Sequence, residues 1–133
     1  MTYSLCDVSR YLLTEGYYPS IEYFQDSNIL IGWTISFDGI KFTYRFIDNT
    51  LTVCSLVISN RDLNVLYTFT ILLKKILNNV HTINHVVAIP SAIGSAENLA
   101  KIKKLFDIFI KNGAQMTVVN DCAIYTLNVK RNN

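Results

Sequence analysis

Long apolar runs, paired cysteines, glycine-rich loops and dense charge are all scarce in this sequence, and each scarcity removes a class of protein. The most apolar stretch, residues 63–77, is interrupted by Asn64, Thr68, Thr70, Lys74 and Lys75, which predicts no stable membrane insertion. No basic segment followed by an apolar run occurs between Met1 and Asp7, so no secretory leader is expected. Cysteine is limited to Cys6, Cys54 and Cys122, odd in number and far apart. That pattern predicts free thiols acting as small core hydrophobes in a cytoplasmic protein rather than a disulfide framework. Only 17% of residues are charged and the net charge of +2 is thinly spread, which argues against a nucleic-acid partner.

Catalytic patterns are equally sparse. Among five glycines there is no phosphate-binding loop and no G-x-S-x-G elbow. Carboxylates stand singly, so no acid–base pair is proposed. His81 and His85 have the four-residue spacing of two ligands on one helical face, but they fall at a helix end and strand entry without a nearby Glu, Asp or Cys. Ordinary surface or turn histidines are expected there. The sequence therefore predicts no catalytic residue, no metal and no cofactor.

Half of the 133 residues are hydrophobic, enough for one α/β domain spanning 1–133. Leu5, Val8 and Leu12 follow helical spacing up to Gly16, predicting a helix over 4–15. Alternation then marks three strands, 29–37, 41–47 and 51–58, joined by Asp38-Gly39 and Asp48-Asn49. Asp38-Gly39 suits a two-residue hairpin turn because both positions tolerate positive φ. In the third strand, Leu51, Val53, Ser55 and Val57 are expected to share a face, and Arg45 is expected to point to solvent from the second.

A long helix follows from about Arg61, capped by Ser59 or Asn60 with Asp62 in its first turn. Leu63, Leu66, Leu73 and Leu77 mark its inner face, although Val65, Phe69, Ile71 and Leu72 make it apolar almost all round. Val86 to Ile89 reads as a short buried strand, Ser95 as the cap of a third helix ending at Gly113, and 115–120 and 122–129 as a final β pair. The order is α-βββ-α-β-α-ββ, a mixed sheet with helices. Between the first helix and the meander, 17–24 packs aromatics into a stretch without helix or strand periodicity. Tyr17, Tyr18, Ile21, Tyr23 and Phe24 are the candidate partner-binding residues.

This element order resembles the GCN5-related acetyltransferases, most locally in residues 105–114, Leu-Phe-Asp-Ile-Phe-Ile-Lys-Asn-Gly-Ala, which look like that superfamily's last helix and following segment. Where the resemblance implies a glycine-bearing pyrophosphate loop, residues 59–66 contain no glycine and place Asp62 at the helix start. Where it implies a general-acid tyrosine, the chain has Phe109. The fold is expected without the chemistry.

From about Leu12 to Val129 the chain also resembles the LcrR family of type III secretion proteins, which includes a chaperone for the translocator EspD. The residues behind this are Leu13-Thr14-Glu15, Gly39-Ile40-Lys41 with Tyr44-Arg45, Leu66-Tyr67, Gly94-Ser95, Gly113-Ala114 and Leu127-Asn128-Val129. That likeness implies a bacterial cytosolic chaperone or accessory protein binding a secreted translocator. The alternatives are a divergent acetyl-CoA-dependent N-acetyltransferase and a regulator of secretion acting through protein contacts. Oligomeric state is not readable from the sequence.

Overall fold

Two tight turns organise the first half of the chain. In the computed structural model, which describes residues 5–23, 30–59, 64–88, 107, 110–111, 113–119 and 122–129, Asp38 and Gly39 have φ of +48° and +78°. Asp48 and Asn49 repeat the pattern at +53° and +59°. Both are therefore two-residue turns with positive φ at each central position, the geometry whose twist matches that of paired strands. They join β2 (Leu30–Phe37), β3 (Ile40–Ile47) and β4 (Thr50–Ile58) into the expected antiparallel meander.

Ahead of the meander, α1 spans Asp7–Thr14 and is followed by β1, Ser20–Tyr23. The strand corrects the expectation of an irregular segment: Ile21 stands opposite Trp33, and a bulge between Glu22 and Tyr23 shifts the register after only three pairs. Four residues are too few to show a period in sequence. After β4 come α2 (Asn64–Asn79), β5 (His85–Ala88), β6 (Gln115–Val119) and β7 (Cys122–Asn128). The described elements form one domain, a seven-stranded mixed sheet in the order β1-β2-β3-β4-β5-β7-β6. β4 and β5 pair in parallel and every other neighbouring pair is antiparallel.

The expected cap of α2 at Asn60, its Asp62, and most of the third helix lie outside the described residues. Within that third stretch Asp107, Ile110 and Lys111 are helical. Gly113, at φ +98°, donates its N–H to the Ile110 carbonyl.

One row of directly opposed residues crosses all seven strands: Ile21, Trp33, Tyr44, Val53, Ala88, Tyr125 and Met116. Opposed residues project to the same face of a sheet, so this row defines the core face. Its centre is closed, with Tyr44, Val53 and Ala88 at most 2% exposed. Both helices cover it. From α1, Val8 and Leu12 are buried, and Ser9 reaches the Tyr44 hydroxyl at 2.7 Å. From α2, Phe69 meets the Phe42 ring edge-on at 5.0 Å, an aromatic geometry that adds about 0.5–1.5 kcal/mol to the gain from burial.

Two facial assignments change. In β4 the core residues are Leu51 and Val53, then Leu56 and Ile58. Thr43 faces Ser55 while Tyr44 faces Val53, leaving Cys54 as an extra, bulged residue. The bulge flips the phase of the strand, so Ser55 and Val57 leave the face that Leu51 and Val53 occupy. In α2 the buried set is Phe69, Leu72, Leu73 and Ile76, with Leu77 only partly buried on the flank and Ile71 and Tyr67 exposed.

Candidate partner-binding surface

The end of α1 sets the geometry of the aromatic segment. Gly16, at φ +92°, donates its N–H to the Leu13 carbonyl, and Tyr17 N–H reaches back to the Leu12 carbonyl at 3.0 Å. Those two bonds are a Schellman motif, which satisfies orphan carbonyls and fixes the direction in which the chain leaves the helix. Tyr17 is thereby turned inward. Its ring lies edge-on to Phe37, with centroids 5.4 Å apart at 73°. Burial raises the Tyr17 hydroxyl pKa above the ordinary value, with the carboxylates of Asp38 and Glu15 adding to the effect.

The next residue points the other way: Tyr18 is 83% exposed. Pro19 then leads into β1, an outer strand of the sheet. Of the five residues proposed from sequence, the structure thus separates three roles. Tyr17 props the turn against Phe37, and Ile21 is half-buried on the core face opposite Trp33. Tyr18 and Tyr23, the latter 39% exposed, present aromatic surface. Phe24 lies outside the described residues.

Beside Phe37 a shallow groove of about 390 Å³ opens along the β2–β3 turn. Phe37, Ile40 and Val57 supply apolar wall, while Ser36, Lys41 and Ser59 supply polar groups. The Ser59 hydroxyl donates to the Gly39 carbonyl at 3.0 Å, which ties the end of β4 to the turn. Lys41 Nζ lies 3.5 Å from Glu22 Oε1, with both side chains well exposed. A pair like this contributes little to stability, but it places both charges on the face of the sheet away from the helices. Arg45 is exposed on that same face, as expected.

The histidines are directed apart. His81 Nε2 is bonded to the Asn78 carbonyl at the end of α2, whereas His85 Nδ1 pairs with Asn128 Oδ1 at 2.7 Å across β5 and β7. Among the described residues no group of three or more His, Cys, Asp or Glu could hold a metal ion. Cys6 and Cys54 are free and half-buried. Burial pushes the Cys54 thiol pKa up, with Arg45 pulling it the other way. A thiol held protonated is a poor nucleophile. No helix among the described residues is long and apolar enough to cross a membrane.

No family model, curated protein or solved structure matches the chain.

Proposed function

We infer that this chain is a protein-binding module that holds a largely apolar segment of another polypeptide against the exposed aromatic surface of Tyr18 and Tyr23. In the specific form implied by its likeness to the LcrR family, it is a cytosolic type III secretion chaperone whose client is a secreted translocator. The observation that carries the reading is Tyr18, a large aromatic 83% exposed at a position fixed by the Schellman turn. Tyrosine offers wide contact area at low entropic cost, and residues of this kind dominate binding energy at interfaces.

The test is the double substitution Tyr18→Ser with Tyr23→Ser, assayed by co-purification and calorimetry with co-expressed secretion substrates. Binding should weaken by at least about 1–2 kcal/mol while Tm stays near wild type, and high salt should change affinity little because few charges take part. A large fall in Tm with binding intact would make the tyrosines structural and end this assignment.

A second reading is favoured by one observation, the parallel β4–β5 pair spanned by α2, which suits the divergent acetyltransferase alternative. Saturable heat on titration with acetyl-CoA would put that reading first.

A further inference from the structure

The two outer strands of the sheet are built differently. β1 is four residues long, carries a bulge, and bears Glu22 paired with Lys41. Short length, a bulge and charge are the usual devices that stop an edge from pairing with another chain. β6 lacks both the bulge and the charge. Its five residues, Gln115-Met116-Thr117-Val118-Val119, include no charge and no proline. Their pairing with β7 runs without a register shift from Gln115–Thr126 to Val119–Cys122. All five are exposed, with Met116 at 55%, Val118 at 61% and Val119 at 47%. Among the described residues no strand pairs with the outer side of β6.

The core face also ends open at this strand. The row that is closed at Tyr44, Val53 and Ala88 runs through Tyr125 to Met116, where more than half of the side chain meets solvent. Val118, two residues on, projects from the same face. An apolar row carried to an unprotected edge calls for continuation by another strand with the same pattern.

We propose that β6 pairs antiparallel with β6 of a second copy of this chain, extending the sheet across a two-fold axis centred on Thr117. The segment is self-complementary in that register. Met116 of each copy meets Val118 of the other on the core face, while Thr117 meets Thr117 and Gln115 meets Val119 on the opposite face. Absence of charge means that no like charges are brought together, and Thr–Thr and apolar pairs are favourable cross-strand neighbours. One surface patch serves both copies, as a closed two-fold dimer requires. Five residues from each copy make a small contact, below the ~1,200 Å² at which stable interfaces begin. The dimer is therefore weak and concentration-dependent.

The test is sedimentation equilibrium on the full chain over about a hundredfold range of concentration, where mass action shifts a weak dimer from mostly apart to mostly paired. Wild-type protein should move from monomer towards dimer. Thr117→Lys and Thr117→Glu, each placing like charges opposite one another on the axis, should both remain monomeric. Mixed in equal amounts, the two variants should regain association at least as strong as wild type. Thr117 is exposed, so neither change should alter the circular dichroism spectrum. Wild-type protein that stays monomeric throughout would overturn the proposal. So would single variants that dimerise like wild type, or a mixture that stays monomeric, and either result would move any contact away from β6. Client binding at Tyr18 and Tyr23 is read separately, so its failure leaves this test intact.

Discussion

Replacing Tyr44 with phenylalanine removes one oxygen atom from the most enclosed part of the molecule, and the consequence can be worked out as a function of pH. The Tyr44 and Ser9 hydroxyls lie 2.7 Å apart with both residues at 0% exposure, and Ser9 has a further, weaker neighbour in the Cys6 thiol at 3.3 Å. A neutral hydrogen bond of this kind contributes about 0.5–1.5 kcal/mol net, and a stranded buried hydroxyl adds a desolvation cost. The thiol offsets part of that cost, so Tyr44→Phe should lose about 1–2 kcal/mol near neutral pH.

Burial raises the Tyr44 pKa far above its ordinary value, the bond to Ser9 opposing only part of the shift. The folded state therefore keeps its proton where the unfolded chain gives it up. This contribution is fully present below the unfolded pKa of about 10 and is lost as pH rises above it, at about 1.4 kcal/mol per pH unit. The variant, with no hydroxyl to titrate at this position, has no such loss, so the two proteins should become equally stable near about pH 11. Tyr11 and Tyr17, also raised chiefly by burial, leave some steepness in the variant's alkaline limb. Urea unfolding followed by circular dichroism from about pH 8 to about pH 11 measures the gap. A gap that stays constant over that range would show that the Tyr44 hydroxyl is not buried against Ser9.

Gly39→Val should lower stability by about 1–2 kcal/mol or more, because a β-branched residue resists the positive φ at that turn; an unchanged Tm would contradict the two-residue hairpin. Gly32→Ala should cost about 1–3 kcal/mol, since its Cβ would fall inside contact distance of the Tyr44 carbonyl oxygen and 3.0 Å from the carbonyl carbon. Chemical denaturation that shows no loss for Gly32→Ala would mean that β2 and β3 do not approach as closely as described.

The meander was legible because its turns are written in the chain. Asp38-Gly39 and Asp48-Asn49 favour the positive φ values found there, and alternation between them fixes strand length. The phase of β4 was not legible. Cys54 and Ser55 are both small and half-buried, so nothing in their chemistry announces that one of them is bulged. α2 concealed its inner face for the opposite reason: with apolar residues almost all round, only packing against Phe42 distinguishes Phe69 from Ile71. In the aromatic segment, composition pointed to a surface, but the separate jobs of Tyr17, Tyr18 and Ile21 depend on the Schellman turn and on the pairing of Ile21 with Trp33. The exposed edge at β6 follows from β7 lying between β5 and β6, a strand order that periodicity does not encode.

That strand order also sets a sequence of events as the chain is made. β1 to β4 pair only with neighbours in sequence, so their contacts can close as soon as each turn has left the ribosome, and local contacts form fastest. β5 docks next, in parallel, once α2 has carried the chain back across the sheet. β6 then emerges with no place to bind, because its partner is the strand that follows it. Until β7 arrives and pairs on both sides, with Val86 and Ala88 along one border and Met116 and Val118 along the other, two sticky strands wait at the growing end. The interval between β5 and β7, rather than the making of the meander, is where these strands are most open to mispairing.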